Sequence, residues 1–382
     1  MPLSAMASNR NLGTILVTGG GGWLGSHIVE RLVSDSQFSA IVSTLEPNVV
    51  ANRRVPGATY HVCDISNAKE FVKLLNLVKP RVIMHTVGPG FFAPPEAHYR
   101  VTYDLSRQLV AIARKHSSVQ ALVYTCTAEA VRMTPEMNSS PLKEEDATIY
   151  NLSSGPNAYA RTKSAVDALV RESNTPEALD NNTGNYQNQL LTTVLRVTGL
   201  YGPRDRLTIG EILLNVNTSK SQFQIGPNEL VHDFIHVDNC ALAHVLAAQA
   251  LLNPKEERAD GQAIFVSDGK PKKFWDFVHK IYELGGDANW APNGPRKSYQ
   301  IPFWLVVYPV VFLEWLFWAF TFGKLRPNSN STTFEYMKTG CWFDIGKAKR
   351  ALGYEPMFDT DEGLKRAMQW FRANEGWEKK NM

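Results

Sequence analysis

The sequence of 382 residues predicts an α/β fold, in which a parallel β-sheet is covered by helices on both faces and is followed by a smaller C-terminal lobe. Three observations support this. Short β-branched runs alternate with helical patterns, as in a parallel sheet with crossover helices. A glycine-rich turn joins the first such run to the first helix. The chain also exceeds the length at which one hydrophobic core keeps growing.

The predicted strands are short, continuous apolar runs, which are typical of strands buried on both faces. They cover residues 14–18, 40–45, 59–62, 82–86, 121–125, 191–196, 234–237 and 263–266. Between them, apolar residues recur on helical faces, for example Val101, Leu105, Leu109 and Ile112. Two polar stretches, 132–157 and 171–189, lack this periodicity and are predicted to be loops, the first a candidate lid.

The stretch TGGGGWLGSHIVE, residues 18–30, follows the first predicted strand and opens a helix predicted over residues 26–33. Gly19, Gly22 and Gly25 follow one glycine spacing, and Gly20, Gly22 and Gly25 follow a second. In such a turn, glycines allow a tight bend, close approach of a pyrophosphate to the main chain, and close packing of helix on strand. The first amides of the helix would face the phosphates. The turn therefore predicts a Rossmann-type, doubly wound sheet that binds a dinucleotide.

Residues after the second and third strands bear on which dinucleotide binds. Glu46 ends the second strand, where a carboxylate accepts hydrogen bonds from the adenosine ribose and repels a 2′-phosphate, which favours NAD. Arg53 and Arg54 follow closely and could pair with that phosphate if the loop folds back, so NADP stays open. Asp64 and Ile65 are candidates for adenine contact, with a helix N-cap as the alternative.

A tyrosine and a lysine four residues apart carry the predicted chemistry. Tyr159 and Lys163 lie on one face of a predicted helix in NAYARTKSAVDALV. A free tyrosine, with a pKa of about 10, is a poor base at neutral pH, but a nearby ammonium favours its phenolate. Such a group could take the proton of an alcohol while hydride leaves the same carbon. Thr127 supplies a hydroxyl that could orient the substrate oxygen. Without the glycine turn, a Tyr–Lys pair is equally compatible with a helix surface, and Thr127 alone is better explained as a strand-end threonine.

Together these residues resemble an extended short-chain dehydrogenase/reductase of the 3β-hydroxysteroid dehydrogenase family, which is marked by T-G-x-x-G-x-x-G and Y-x-x-x-K. The matching residues are Thr18, Gly19, Gly22, Gly25, Tyr159 and Lys163. The resemblance spans nearly the whole chain, through LRVTGLYGPRDR (195–206), residues 222–254 and residues 347–356. Within the family, the pattern is most similar to the fungal sterol-4α-carboxylate 3-dehydrogenases (decarboxylating).

The resemblance implies NAD(P)-dependent oxidation of a 3β-hydroxyl on a sterol or terpenoid-like substrate, with or without loss of a C4 carboxylate as carbon dioxide. Tyr159 would be the base, Lys163 would stabilise it and hold the nicotinamide ribose, and Thr127 would position the alcohol. The remaining cofactor contacts would come from Trp23, Leu24, Thr86, Val87 and Val197. The alternatives are an NADPH-dependent ketone or aldehyde reductase of secondary metabolism, a dehydrogenase that is also an isomerase, and a non-catalytic nucleotide-binding protein.

Several positions depart from the family pattern. Thr127 replaces the usual serine but retains the hydroxyl, VTYDLSRQ (101–108) lacks the usual asparagine and glycine, and HTVGPG (85–90) replaces H-x-A-S-P. These changes suggest a divergent relative that acts on another polycyclic terpenoid. Of two further polar residues near the expected site, His85 is interpreted as a satisfied core histidine and Glu129 as a solvated carboxylate that could also touch substrate.

The segment IPFWLVVYPVVFLEWLFWAFTF, residues 301–322, is long enough to span a bilayer. Pro302, Pro309 and Glu314 interrupt it, and a carboxylate is costly in mid-bilayer. The favoured interpretation is a helical pair that lies in the membrane interface or forms an apolar mouth for substrate; a transmembrane helix and ordinary core are the alternatives. The family has a membrane-associating segment at this place.

The expected domains are an NAD(P)-binding domain over residues 11–200 and 230–270, and a substrate-binding lobe over 201–229 and 271–382. With 40 basic and 37 acidic side chains, the net charge of +3 gives no reason to expect nucleic-acid binding. The cysteines are expected to be free thiols and no metal site is predicted; they are Cys63, Cys126, Cys240 and Cys341. We expect a homodimer at the cytoplasmic face of the endoplasmic reticulum or another membrane, or otherwise in the cytoplasm.

Overall fold

A computed structural model of the chain describes residues 12–34, 40–45, 54–176, 189–321 and 332–374. Its centre is a seven-stranded sheet in the order β11-β6-β5-β4-β1-β2-β3, in which every neighbouring pair is parallel. The strands are β1 (Thr14–Thr18), β2 (Ala40–Leu45), β3 (Thr59–Val62), β4 (Val82–His85), β5 (Ala121–Thr127), β6 (Leu191–Val197) and β11 (Gln262–Val266). This is the predicted doubly wound α/β sheet.

Helices cover both faces of the sheet, as the apolar strands require. On one face, α1 (Trp23–Ser34) and α7 (Val237–Leu252) pack on Ile15 and Val17 of β1. On the other face, α2 (Ala68–Val78), α4 (Leu105–Ala113) and α5 (Ala158–Glu172) enclose Leu16 of the same strand. Successive residues of β1 therefore enter different cores, which is the strand periodicity that the sequence shows.

The chain before α4 takes an unusual helical form. A short α3 (Pro95–Ala97) leads directly into a π-helical segment, His98–Asp104, which continues into α4. This region carries the predicted apolar face: Leu105 and Leu109 are buried, and Val101 and Ile112 pack on the same core. The π-helical segment also lies against α5. Because π-helical turns often occur at functional sites, the contact between this segment and α5 marks a candidate functional region.

The C-terminal part is built on three two-stranded sheets and a separate core. The remaining strands are β7 (Gly199–Tyr201), β8 (Phe223–Ile225), β9 (Val231–His232), β10 (Phe234–His236), β12 (Lys272–Lys273) and β13 (Tyr299–Ile301). The run predicted as a strand over 234–237 pairs with β7 outside the main sheet, so its assignment to that sheet is wrong. The helices here are α6 (Ile209–Leu213), α8 (Phe274–Gly285), α9 (Phe303–Thr321), α10 (Thr332–Thr339) and α11 (Thr360–Ala373).

Within the apolar segment 301–322, Ile301 ends β13 and a single helix covers Phe303–Thr321, in place of the predicted helical pair. Helix α9 runs through Pro309 without ending, and it is long and apolar enough to cross a membrane by length and composition. Almost none of it is buried inside the protein, so the alternative of ordinary core is wrong as well. Large side chains project from it, including Trp304 at 60% and Phe320 at 81% exposure.

The first polar stretch is largely irregular, as predicted. Residues 132–157 contain one short 3-10 helix, Pro135–Ser139, and two isolated bridges, one of which joins Leu142 to Phe343 near the C-terminal end. The second stretch begins inside α5, which continues to Glu172, and residues 177–188 lie outside the described ranges. All four cysteines are free.

Candidate active site

The glycine-rich turn folds tightly upon itself. Gly19 has a φ of +78°, and its carbonyl accepts a hydrogen bond of 2.8 Å from the Gly22 amide. A Cβ on Gly25 would lie 2.1 Å from the Gly19 carbonyl oxygen, so this position admits no side chain unless the turn moves. A Cβ on Gly19 would lie 2.9 Å from the Thr86 hydroxyl. The turn is therefore fixed by close backbone packing against α1 and by the residues that follow β4.

A cavity of about 220 Å³ lies at the carboxyl ends of β1, β2 and β4, where ligands bind in doubly wound sheets. Its lining residues are Gly19, Gly21, Gly22, Trp23, Leu24, Gly25, Thr44, Thr86, Val87 and Gly88. Helix α1 begins at Trp23, three residues before the predicted start at residue 26, so its N-terminal turn itself faces the cavity. The Trp23 indole is anchored by a hydrogen bond of 2.7 Å to the Pro203 carbonyl.

Other predicted cofactor residues lie outside this cavity or outside the described ranges. Glu46 and Arg53 belong to the undescribed residues. Arg54 is exposed and lies over the Tyr60 ring, with its guanidinium carbon 5.9 Å from the ring centroid. Val197 is the last residue of β6, paired in register with Thr127.

Asp64 and Ile65 form the turn that precedes α2. The Asp64 carboxylate accepts hydrogen bonds from the amide and hydroxyl of Ser66, and these bonds lower the pKa of Asp64. The N-cap of α2 is Asn67, so the alternative interpretation of Asp64 as the cap is wrong. Ile65 is buried in the core between the sheet and α2.

Tyr159 and Lys163 lie in the first turns of α5, which is capped by Asn157 through a hydrogen bond of 2.7 Å to the Ala160 amide. The ring of Tyr159 is half-buried and packs edge-on against Phe91 (centroids 5.1 Å apart) and His98 (5.6 Å). Lys163 is only 6% exposed, and its ammonium donates a hydrogen bond of 2.9 Å to the Thr125 carbonyl.

The lysine connects this pair to the glycine cavity. A Cβ on Gly88, which lines the cavity, would lie 3.5 Å from Lys163 Nζ. The buried ammonium therefore lies at the cavity rim, one helical turn from Tyr159. Burial lowers the pKa of Lys163.

Thr127 lies at the end of β5 and is nearly buried. Its hydroxyl oxygen accepts a hydrogen bond of 3.2 Å from the Glu129 amide, and the hydroxyl lies close enough to Tyr159 to lower the tyrosine pKa. The structure thus brings Thr127, Tyr159 and Lys163 together, as the sequence predicts, although they come from a strand and a separate helix.

The pKa of Tyr159 depends on its burial and on its neighbours. Burial raises the pKa of Tyr159 above its ordinary value, and the charge of Glu129 raises it further, while the Thr127 hydroxyl acts in the opposite direction. The Lys163 ammonium is directed to the Thr125 carbonyl. In the chain by itself, desolvation therefore dominates the pKa of Tyr159.

Two neighbours of Tyr159 were not predicted. Phe91 follows HTVGPG, and His98 opens the π-helical segment; neither belongs to a motif, and their contacts depend on how this segment packs on α5. The sequence signal for this region was its departure from the family pattern at residues 85–90 and 101–108. His85 is a buried, satisfied histidine as predicted: its nitrogens contact the hydroxyls of Thr18 (2.7 Å) and Ser106 (2.9 Å), and burial lowers its pKa to about 3.

Glu129 is half-buried, so the interpretation of this residue as a solvated carboxylate is wrong. It occupies a 3-10 turn, Ala128–Ala130, directly after Thr127, and burial raises the pKa of its carboxyl to about 7. Among the described residues, no group of three or more His, Cys, Asp and Glu side chains could hold a metal ion.

Comparisons with known proteins identify the family. The model of the 3-beta hydroxysteroid dehydrogenase/isomerase family matches residues 16–290. A sterol-4-alpha-carboxylate 3-dehydrogenase (decarboxylating) of Gibberella zeae is 31% identical over 310 residues, which cover 80% of this chain and 96% of that protein. The corresponding protein of Schizosaccharomyces pombe is 27% identical, with 94% and 97% covered. A 3beta-hydroxysteroid-dehydrogenase/decarboxylase of Arabidopsis thaliana is 27% identical, with 93% and 79% covered.

Solved structures share the fold at lower identity. A dTDP-glucose 4,6-dehydratase from Bacillus anthracis in complex with NAD has a TM-score of 0.67 at 17% identity, covering 95% of this chain and 98% of that chain. A UDP-glucose 4-epimerase from Thermus thermophilus in complex with NAD has a TM-score of 0.64 at 20% identity, covering 94% and 99%. The predicted fold and the predicted oxidoreductase class are both confirmed: the chain belongs to the 3-beta hydroxysteroid dehydrogenase/isomerase family.

Proposed function

We propose that this protein oxidises the 3β-hydroxyl of a sterol or related terpenoid to a ketone, with NAD as the hydride acceptor. The observation that carries the proposal is the meeting of three groups beside the glycine cavity. Thr127 lies beside Tyr159 and lowers its pKa, and Lys163 lies at the cavity rim one turn further along α5. The relatives from Gibberella zeae and Schizosaccharomyces pombe are sterol dehydrogenases by name, which supports the substrate class.

The residues of the cavity fit a dinucleotide diphosphate. Glycines stand where a side chain would collide with the turn, and the N-terminal turn of α1 lines the cavity with backbone amides. Gly19, Gly22 and the start of α1 would hold the diphosphate, and Lys163 would hold the nicotinamide ribose. When bound, NAD supplies the acceptor for the hydride that leaves the carbinol carbon.

The chain's own groups handle the proton. Thr127 would hold the substrate oxygen, and Tyr159 would accept the hydroxyl proton as the carbonyl forms. Because burial raises the pKa of Tyr159, the tyrosine needs a nearby positive charge to act as a base, and Lys163 is the ammonium that α5 places one turn away. Phe91 and His98 fix the plane of the tyrosine ring.

A substrate with a carboxylate on C4 would become a β-keto acid after oxidation. The bond between C4 and the carboxylate then breaks, carbon dioxide leaves, and the electron pair moves to the C3 oxygen as an enolate that water or an acid protonates. The new ketone accepts the electron pair in this step, so no further catalytic residue is needed. The presence of a C4 carboxylate on the substrate therefore decides whether decarboxylation follows the oxidation.

Replacing Tyr159 by Phe tests the proposal. We expect formation of reduced cofactor to fall by on the order of a thousandfold, because the acid–base group is lost, while NAD still binds. Purified protein is incubated with NAD and 3β-hydroxy sterols with and without a C4 carboxylate, and NADH absorbance and released carbon dioxide are followed. Tyr299→Phe, at an exposed tyrosine, is the matched control. Undiminished turnover in Tyr159→Phe would remove this residue from the mechanism.

The same purified protein is used to determine whether NAD or NADP is the preferred cofactor. Dissociation constants for NADH and NADPH are measured by fluorescence titration, and we expect tighter binding of NADH. A clear preference for NADPH would instead favour the alternative of a ketone or aldehyde reductase. In that case Arg53 and Arg54 become the residues to replace.

We further propose that α9 attaches the protein to a membrane surface, at the cytoplasmic face of the endoplasmic reticulum. The support is a helix whose large apolar side chains are exposed: Trp304, Leu305, Tyr308, Val311, Phe312, Leu313, Trp315, Phe317 and Phe320. Glu314 lies within it, and a carboxylate is costly in the centre of a bilayer, which favours a helix in the interface over one that spans. Sterols partition into membranes, so this position would bring the enzyme to its substrate.

Flotation with phosphatidylcholine vesicles tests the attachment. We expect the protein to float with the vesicles and a variant with Trp304, Phe312 and Trp315 changed to Ser to remain in solution with unchanged NAD affinity. Leu77→Ser, at an exposed apolar residue on α2, is the control. Release by alkaline carbonate is the expected result for an interfacial helix, and retention would indicate a spanning one.

We also propose a homodimer that pairs through α4 and α5. These two helices pack side by side on one face of the sheet, where a second copy could extend the layer. Light scattering of detergent-solubilised protein should give twice the mass of the chain. A monomer mass that persists at high protein concentration would contradict the proposal.

A further inference from the structure

Glu129 is a carboxyl group that the proposed reaction does not use, although it stands next to the reacting groups. It lies in the 3-10 turn that follows β5, and its amide donates a hydrogen bond of 3.2 Å to the hydroxyl oxygen of Thr127. This bond fixes the start of its side chain beside the residue that would hold the substrate oxygen. The glutamate is half-buried, in contrast to an ordinary surface carboxylate.

The groups around the Glu129 carboxyl come from three parts of the chain. Its negative charge raises the pKa values of Tyr159 on α5, Tyr336 on α10 and Cys341, which follows α10. The carboxyl therefore lies between the tyrosine of the reaction and the C-terminal part. A substrate held at Tyr159 would therefore lie close to this carboxyl group.

The cations on the elements packed against this turn are engaged elsewhere. Lys163 on α5 donates to the Thr125 carbonyl, and Arg196 on β6 is paired with Asp167 at 2.8 Å. Burial raises the pKa of the Glu129 carboxyl group to about 7. The group is thus able to change charge within the physiological range of pH.

The chemistry of the proposed substrate gives this carboxyl a role. A hydroxyl held by Thr127 and Tyr159 places C4, the neighbouring carbon, within a few ångström of the turn after β5. A free carboxylic acid on C4 is ionised throughout the neutral range. Two carboxylates in one partly buried site cannot both ionise without mutual repulsion, whereas a protonated acid can donate a hydrogen bond to a carboxylate.

We propose that Glu129 is a specificity-determining residue that reads the charge of the substituent on C4. Protonated, it donates a hydrogen bond to a C4 carboxylate and admits that substrate; ionised, it repels the carboxylate and leaves substrates with an uncharged C4 substituent unaffected. The inference rests on the proposed function, because it assumes that the 3β-hydroxyl binds at Thr127 and Tyr159. It makes the choice between decarboxylating and simple oxidation dependent on pH.

The test compares two substrates over pH 6 to 9 in the full chain with saturating NAD. One is a 3β-hydroxysterol with a C4 carboxylate and the other is the same sterol with a C4 methyl group. For the wild-type chain, we expect the ratio of kcat/KM values, carboxylate over methyl, to fall by about tenfold per pH unit above pH 7, since one proton must bind. The change should appear in KM, with kcat nearly constant.

Glu129→Gln should keep this ratio level across the same range, because the amide stays neutral and can still donate a hydrogen bond. Glu145→Gln, at an exposed glutamate, should behave as wild type. If the Glu129 variant fails to fold, the pH dependence of the kcat/KM ratio in the wild-type chain is sufficient to test the inference. A level ratio in the wild-type chain, or the same slope in Glu129→Gln, would overturn the inference while leaving the proposed function intact. Oxidation of neither substrate would remove the proposed function and this inference together.

Discussion

At the scale of single residues, close backbone contacts explain why the glycine turn excludes side chains. Gly25 is required by the protein itself, since its Cβ position lies 2.1 Å from the carbonyl oxygen of Gly19. The ligand is therefore only part of the reason for the glycines. A turn that is closed by its own backbone presents its amides in one arrangement before any ligand arrives.

Gly25→Ala should weaken NAD binding by on the order of a hundredfold, because the added methyl group forces the turn open and moves its amides. Calorimetric titration with NAD measures the effect. Gly90→Ala is the matched control, since nothing lies within 4 Å of a Cβ there. Equal affinities in the two variants would contradict the role given to the turn.

The residues of the site divide by what a sequence can reveal. Tyr159 and Lys163 could be predicted because a spacing of four on a helix places both on one face. Thr127 followed from its position at a strand end. Phe91 and His98 could not, since their contacts with Tyr159 depend on the packing of a π-helical segment against α5. The burial of Glu129 was missed because an isolated carboxylate carries no pattern that distinguishes a solvated position from an enclosed one.

At the scale of elements, apolar periodicity predicted strands well and their partners less well. All seven strands of the central sheet coincide with predicted runs to within two residues at either end. The run at 234–237 looks the same in sequence, yet it pairs with β7, because three residues of apolar strand do not specify a partner. The continuity of α9 through Pro309 was also missed, since a proline removes one backbone donor but does not always end a helix.

The attachment of α5 to the sheet depends on a buried ion pair. Asp167 on α5 is fully buried and contacts Arg196 on β6 at 2.8 Å and Arg171 at 2.7 Å. Removing one partner of such a pair leaves an uncompensated buried charge. The helix affected is the one that carries Tyr159 and Lys163.

Asp167→Ala should lower the free energy of unfolding by about 3 to 5 kcal/mol and reduce turnover through displacement of α5. Urea denaturation followed by circular dichroism measures the loss. Asp104→Ala provides the comparison, because its ion pair with Arg107 is exposed and contributes at most about 1 kcal/mol. A loss in Asp167→Ala as small as in Asp104→Ala would refute a structural role for the pair.

At the scale of the whole molecule, one carboxylate joins the sheet region to the C-terminal part. Buried Asp268 accepts hydrogen bonds from the Tyr201 hydroxyl (2.7 Å), the His236 amide (2.9 Å) and the Asn239 side chain (2.7 Å), and Thr360 at the start of α11 lies 3.4 Å away. The sequence could not predict this junction, because its members are separated by long stretches of chain and belong to no motif.

Burial raises the pKa of Asp268 to about 6 from its ordinary 3.8, although its hydrogen bonds act in the opposite direction. The folded state therefore holds this proton more tightly than the unfolded state. Its contribution is full below about pH 4 and is lost as pH rises through 6.

Asp268→Asn should therefore cost less stability at pH 7 than at pH 4.5, with a difference of about 2 kcal/mol, because the amide does not ionise. Urea denaturation at the two pH values measures this difference. Asp361→Asn, in an exposed ion pair with Lys272, should show no comparable change. A cost that is equal at both pH values would argue against ionisation of Asp268 within this range.

The exposed aromatic surface of α9 also affects how the purified protein will behave. An apolar face of this size is unstable in plain buffer, where copies of the chain can cover it by pairing with one another. Such clusters should disperse when mild detergent occupies the same face. Sedimentation in plain buffer would then measure aggregation through α9. The oligomeric state of the protein should therefore be determined in detergent.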